Sequence, residues 1–129
     1  MIRAEQRDEA LITFLREVVM VSPSEIEMMR TRPSWKDRVA GVGVQLRELR
    51  ALTLYRFEPK KVKTLKVPTL LITGSRTASP QLKAGIQTLM KTLAHPTLLV
   101  LEGEEHNAMD NIPQEFAGAV TKFLLDNTR

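Results

Sequence analysis

A histidine lies among carboxylates in the segment LEGEEHNAMDNIPQEF, which spans residues 101–116. His106 follows an apolar run that ends at Gly103, and a helical pattern begins shortly afterwards at Pro113. An imidazole can act as a general base near neutral pH, and it can also ligate a metal ion. His106 is therefore the candidate catalytic residue, and the remaining residues decide which chemistry is open to it.

A metal site at His106 would draw on Glu104, Glu105, Asp110 and the distant His95. These ligands are loosely spaced and match neither H-x-x-x-H nor H-E-x-x-H, the patterns that place two histidines on one helix face. The sequence contains no cysteine, which excludes thiolate ligands, disulfides and a cysteine nucleophile. We expect no metal and no other cofactor.

Acyl transfer at His106 would need a nucleophile, and Ser75 and Ser79 are the serines that follow an apolar run. Ser79 precedes Pro80, which favours a helix N-cap, and Ser75 is placed for hydrogen bonding within a turn. No G-x-S-x-G pentapeptide, the turn that exposes a nucleophilic serine, occurs in the chain. An independent enzyme that pairs Ser75 or Ser79 with His106 is therefore the weakest alternative.

Two acids could orient His106 locally, namely Glu102 and Asp110. Acids at a strand end or a helix entry are more often solvated or capping. Arg76 carries a cation into the turn after the first apolar run, where it would disfavour a neighbouring imidazolium.

The second half of the chain, which must position His106, has the pattern of a βαβα unit. VPTLLITG and TLLVLEG are short apolar runs typical of parallel strands covered on both faces, and SPQLKAGIQTLMKTLA between them predicts a helix. A last helix is predicted over 113–126, buried through Phe116, Val120, Phe123 and Leu124. The order predicts a short parallel sheet with a right-handed crossover, and His106 lies just past the second strand, where open α/β sheets bind ligands.

The first half is predicted to be all-helical. One helix spans about 3–20 and another begins after Ser22-Pro23-Ser24-Glu25, which offers an N-cap, a first-turn proline and a capping-box acid. A third spans about 35–56. The predicted inward residues of the first and third helices are Leu11, Phe14, Leu15, Val18, Val19, Trp35, Val39, Val42, Leu46 and Leu49.

The second half resembles the C-terminal end of the α/β-hydrolase fold family. Gly103-Glu104-Glu105-His106 is similar to its G-x-x-H loop, and Pro113-Gln114-Glu115-Phe116 is similar to the P-x-x-F start of its closing helix. The resemblance covers 66–126, and RELRALTLYRFEP before LKVP is similar to the family's lid segment. It implies a helical lid-like segment over 1–58, a C-terminal hydrolase-like βαβα segment over 59–129, and the triad-histidine position for His106.

The family's chemistry is serine-dependent hydrolysis of ester or acyl bonds, in which an acid orients the histidine. The family's serine lies upstream of the lid, and GSRTASP carries no carboxylate where the family's acid follows the strand. The resemblance thus implies a truncated hydrolase-like protein or one piece of a longer enzyme, inactive as an isolated chain. A small ester or acyl substrate is expected only if another half completes the site.

The alternative is a small homo-oligomeric interaction or assembly protein that uses an exposed sheet edge. Because two strands leave open edges, we expect a homodimer or larger assembly. Nucleic acid is not an expected partner, since the densest basic cluster lacks interleaved aromatic residues. We interpret this cluster as a solvated linker; it comprises Lys60, Lys61, Lys63 and Lys66. No apolar run approaches the roughly 20 residues that span a bilayer, so we expect no membrane partner and a cytoplasmic location.

Overall fold

The computed structural model describes residues 4–127, apart from the side chains at 4, 5 and 46. The chain divides between Phe57 and Glu58 into two compact units. The first unit comprises α1 (Ala4–Phe14), a π-helix (Leu15–Val19), α2 (Pro23–Arg30) and α3 (Ser34–Leu54). The second comprises α4 (Pro59–Val62), β1 (Thr69–Gly74), α5 (Pro80–Thr92), β2 (Pro96–Leu101), α6 (Ala108–Asn111) and α7 (Pro113–Asn127). Over residues 4–127, no helix combines the length and apolar character needed to cross a bilayer.

The core of the first unit is built from the apolar stripes of its three α-helices and the π-helix. Its buried members are Leu11, Leu15, Val21, Ile26, Met29, Trp35 and Val42. The predicted start of α2 is confirmed, because the Ser22 hydroxyl accepts a hydrogen bond from the Glu25 amide at 3.3 Å and Pro23 is the first helical residue. The predicted inward position Leu46 lies outside the described side chains.

The first helix differs from its prediction as a single α-helix over about 3–20. A π-helix replaces its last turn from Leu15 to Val19, and Met20 ends it in the left-handed region with φ 62°. A π-turn holds more residues than an α-turn, so it rotates the following side chains relative to α-helical spacing. Leu15 is buried, whereas Val18, predicted to point inward, is 53% exposed.

Asp8 on α1 connects the helices of the first unit. Its Oδ1 atom accepts a hydrogen bond from Trp35 Nε1 on α3 at 2.7 Å, and its Oδ2 atom lies 3.7 Å from the Arg30 guanidinium on α2. Trp35 is buried, so the indole N–H needs this acceptor. The carboxylate therefore fixes where α3 begins against α1.

The second unit is of the α/β class, with two parallel strands joined through α5. The strands pair in register from Thr69 opposite Pro96 to Gly74 opposite Leu101. The predicted order of strand, helix, strand and helix is confirmed, with α7 closing the unit. The right-handed crossover stays a prediction.

Burial in the second unit is shallower than predicted. Along β1, residues 69–73 are only half-buried, and in β2 Leu98 and Val100 are 40% and 47% exposed. The predicted burial of Leu124 is wrong, since it is 54% exposed. A sheet of two strands is narrow and can cover only part of α7. The partly buried residues of α7 include Phe116, Val120 and Phe123, and Leu124 lies outside this stripe.

The basic cluster that the sequence analysis interpreted as a linker contains a short helix. Its four lysines, Lys60, Lys61, Lys63 and Lys66, are exposed around α4, and Lys61 pairs with Glu58 at 2.7 Å. The segment is solvated as predicted, but it is not without regular structure.

Trp35→Phe should lower the free energy of unfolding by about 1.5–3 kcal/mol, because it removes a hydrogen bond to a charged acceptor. Urea unfolding followed by circular dichroism measures the loss. In an Asp8→Ala background the same substitution should cost at least about 1 kcal/mol less, since the acceptor is already gone. An equal loss in both backgrounds would show that Trp35 acts through packing alone.

Candidate functional site

The turns that follow β1 and β2 are hydrogen-bonded to each other. The Arg76 amide donates to the Glu104 carbonyl at 2.8 Å. The Ser75 hydroxyl accepts from the Gly103 amide at 2.9 Å and donates to Glu102 Oε1 at 3.1 Å. These bonds fix the loop that carries His106 to the end of β1.

Gly74 is where the two turns approach most closely. A Cβ atom at this position would overlap the backbone carbonyl oxygens of Glu104 and Glu105. The sequence pattern indicated only that Gly74 ends a strand. The structure shows that a residue without a side chain is needed there, because the His106 loop occupies the space of a Cβ.

The loop is also fixed on its far side. Gly103 turns the chain with φ +76°, in the region that favours glycine. The Asn111 amide nitrogen donates to Glu104 Oε2 at 3.0 Å, and Asn107 is buried at the start of α6. The His106 backbone is thus held from both directions.

His106 itself is exposed as a residue, yet one side of it lines a cavity. Desolvation by partial burial lowers the pKa of His106 below the usual value for a histidine. The imidazole is therefore mainly neutral at pH 7, the form that can accept a proton. Within residues 4–127 its ring nitrogens have no hydrogen-bond partner.

The cavity beside His106 has a volume of about 220 Å³ and belongs entirely to the second unit. Its lining residues are Ile72, Thr73, Thr77, Gln81, Leu82, Gly85, Ile86, Leu89 and His106. Ile72 and Thr73 are consecutive strand residues and point to opposite faces of β1. Since both line the cavity and β2 contributes nothing to this lining, the cavity lies along the edge of β1 that faces away from β2.

Thr77 is the cavity residue that sequence reasoning did not single out. It is only 3% exposed, and its hydroxyl oxygen is buried without a hydrogen-bond partner. A buried hydroxyl left unpaired is destabilising, and it is uncommon in folded proteins. The signal in the sequence was weak, namely a hydroxyl residue three positions after the glycine that ends a strand.

The structure does not bring Ser75 or Ser79 into the cavity with His106. Ser79 is 1% exposed, caps α5 by accepting from the Leu82 amide at 3.4 Å, and donates to Gln81 Oε1 at 3.2 Å. Ser75 is bonded between the two turns. Both serines therefore have the structural roles predicted for them.

Two acidic residues near His106 in sequence form hydrogen bonds to residues other than His106. Glu102 accepts from Ser75, and Glu104 accepts from Asn111. In the part of the chain that the structure describes, no carboxylate is hydrogen-bonded to the His106 ring. Over the same residues, no group of three or more histidine, cysteine, aspartate or glutamate side chains could hold a metal ion.

Comparisons with known protein families, with curated protein sequences and with solved structures gave no significant match. The α/β-hydrolase relationship thus stays an expectation that rests on the motifs around His106.

Gly74→Ala should lower the free energy of unfolding by about 1–3 kcal/mol, because the added methyl group must displace the His106 loop. Chemical denaturation measures the stability, and the NMR signals of the His106 ring report the displaced loop. Gly118→Ala on α7 is the matched control: its Cβ would meet open space, so it should be neutral or slightly stabilising. Unchanged stability and ring signals in Gly74→Ala would contradict the close approach.

Proposed function

We propose that this chain is an α/β-hydrolase-like segment in which His106 takes the triad-histidine position, and that these residues alone do not hydrolyse esters. One observation supports both parts. The loop after the second parallel strand holds the His106 imidazole at the end of β1, where partial burial lowers its pKa, yet no serine hydroxyl or carboxylate is bonded to it within the described residues.

The chemistry explains why such a histidine is insufficient. A triad base takes the proton of a nucleophilic hydroxyl, and an acid orients the imidazole and stabilises the imidazolium that forms. Ser75 and Ser79 are engaged in structural hydrogen bonds, and the Thr77 hydroxyl is shielded from solvent. On this proposal, none of these three hydroxyls is placed to form an acyl intermediate with His106. Turnover of a small ester or acyl substrate would require another segment to supply the nucleophile, the acid and the oxyanion hole.

A cytoplasmic location belongs to the same proposal, because a cysteine-free chain suits a reducing compartment. The expected lack of a nucleic-acid partner stays a prediction.

A serine-reactive phosphonate probe should form no covalent adduct with the chain, as measured by intact mass spectrometry. The chain should also release p-nitrophenol from a p-nitrophenyl ester no faster than the His106→Ala variant does. An active serine hydrolase run in parallel shows that the probe and the ester are competent. A phosphonate adduct at Ser75 or Ser79 that is lost in His106→Ala would overturn the proposal.

A second candidate function is homo-oligomeric assembly through the sheet edge. Thr69 and Ser75 direct their amides to the β2 side, so the alternating residues Leu70 and Ile72 direct their backbone groups to the opposite edge of β1. Unpaired strand edges are templates for association with another chain. The exposed Leu98 and Val100 on β2 add apolar surface to the same small sheet.

Under this second proposal, light scattering should give about twice the chain mass of 14.6 kDa. Leu70→Pro should give the monomer mass, because proline removes only an outward N–H and blocks edge pairing. Leu70→Ala is the matched control, since it loses the same side chain but keeps the N–H, and it should still dimerise. A wild-type monomer at tens of micromolar would contradict the proposal.

A further inference from the structure

We propose that the cavity between β1 and α5 binds a small uncharged molecule that carries one hydroxyl group on an apolar body, such as a phenol or a cyclic alcohol. The proposal concerns reversible binding without a catalytic step. It stands whether or not the chain is related to the hydrolases.

The volume and the lining of the cavity determine the size and the apolar character of the ligand body. Ile72, Leu82, Ile86 and Leu89 supply aliphatic walls around about 220 Å³. An engineered apolar cavity of about 150 Å³ holds benzene, so this cavity has room for a six-membered ring and a substituent. Larger ligands would extend out of the cavity.

The charges around the cavity exclude an ionic head group. No lysine or arginine is found among its lining residues, so a buried anion would have no strong cationic partner. A cation would lack a carboxylate among the same lining residues.

The polar groups of the cavity match a hydroxyl group. The neutral His106 imidazole can both accept and donate a hydrogen bond, and a threonine hydroxyl can do the same. A ligand hydroxyl can therefore donate to, or accept from, either of these groups. The Thr77 oxygen is shielded from solvent, so it would meet the ligand by rotation about χ1, which exchanges hydroxyl and methyl. Binding would satisfy a hydroxyl that is otherwise buried without a partner.

The experiment titrates the full chain with phenol and follows the ring signals of its two histidines by NMR. Saturable shifts should occur at His106 and not at His95, which does not line the cavity. Thr77→Val keeps the shape but removes the hydroxyl, and it should weaken phenol binding about three- to ten-fold while leaving benzene binding unchanged. The unliganded Thr77→Val chain should have a raised Tm, which also shows that the variant folds.

Three results would overturn the proposal. The first is an absence of saturable shifts at His106 with phenol. The second is equal affinity for phenol and benzene together with no effect of Thr77→Val, which would show a purely apolar cavity. The third is tighter binding of benzoate than of phenol, which would show an anion site.

Discussion

The close approach of two backbone turns at Gly74 is the constraint on which the candidate site depends. Parallel strands bring their carboxyl ends to the same edge of a sheet, so the turns after β1 and β2 must share limited space. Gly74 lets the carbonyls of Glu104 and Glu105 occupy the position of a Cβ. The amide of Arg76 then bonds to Glu104. As a result, the residues that follow the two strands line one cavity although they are far apart in sequence.

The electrostatics of His106 follow from what surrounds it. Burial disfavours the charged imidazolium and lowers the pKa of His106, whereas a bonded carboxylate would act in the opposite direction. A lowered pKa of His106 therefore fits a histidine without an orienting acid. In a triad that acid fixes the tautomer and the ring orientation. Without it, the imidazole can act as a neutral hydrogen-bonding group. The proposed hydrolysis would then need further groups, whereas the proposed binding of an uncharged hydroxyl would not.

The sequence predicted those features of the fold that depend on neighbouring residues. Serines before prolines predicted the caps of α2 and α5, and apolar runs that end at glycine predicted both strands, because these signals act within one turn or one strand. Features set by packing were missed. The π-helix at Leu15–Val19 and the exposure of Leu124 depend on which neighbours fill the core. Thr77 was not singled out because its side chain carries no chemical signature until tertiary structure places it in the same cavity as His106.

The cavity lies along the edge of β1 that faces away from β2, which is also the edge proposed for assembly, and this sets how binding and assembly would relate. Ile72 lines the cavity and also directs its backbone groups to the edge of β1 that faces away from β2. A strand paired with β1 would run about 4.8 Å from it, within the space that a ligand beside Ile72 occupies. A ligand that binds only when no strand is paired with this edge must weaken dimerisation. Because linkage is reciprocal, dimerisation lowers the affinity for the ligand by the same factor. If the chain both assembles through this edge and binds an alcohol in this cavity, the two events would oppose each other, and the affinity for the alcohol would fall as the protein concentration rises.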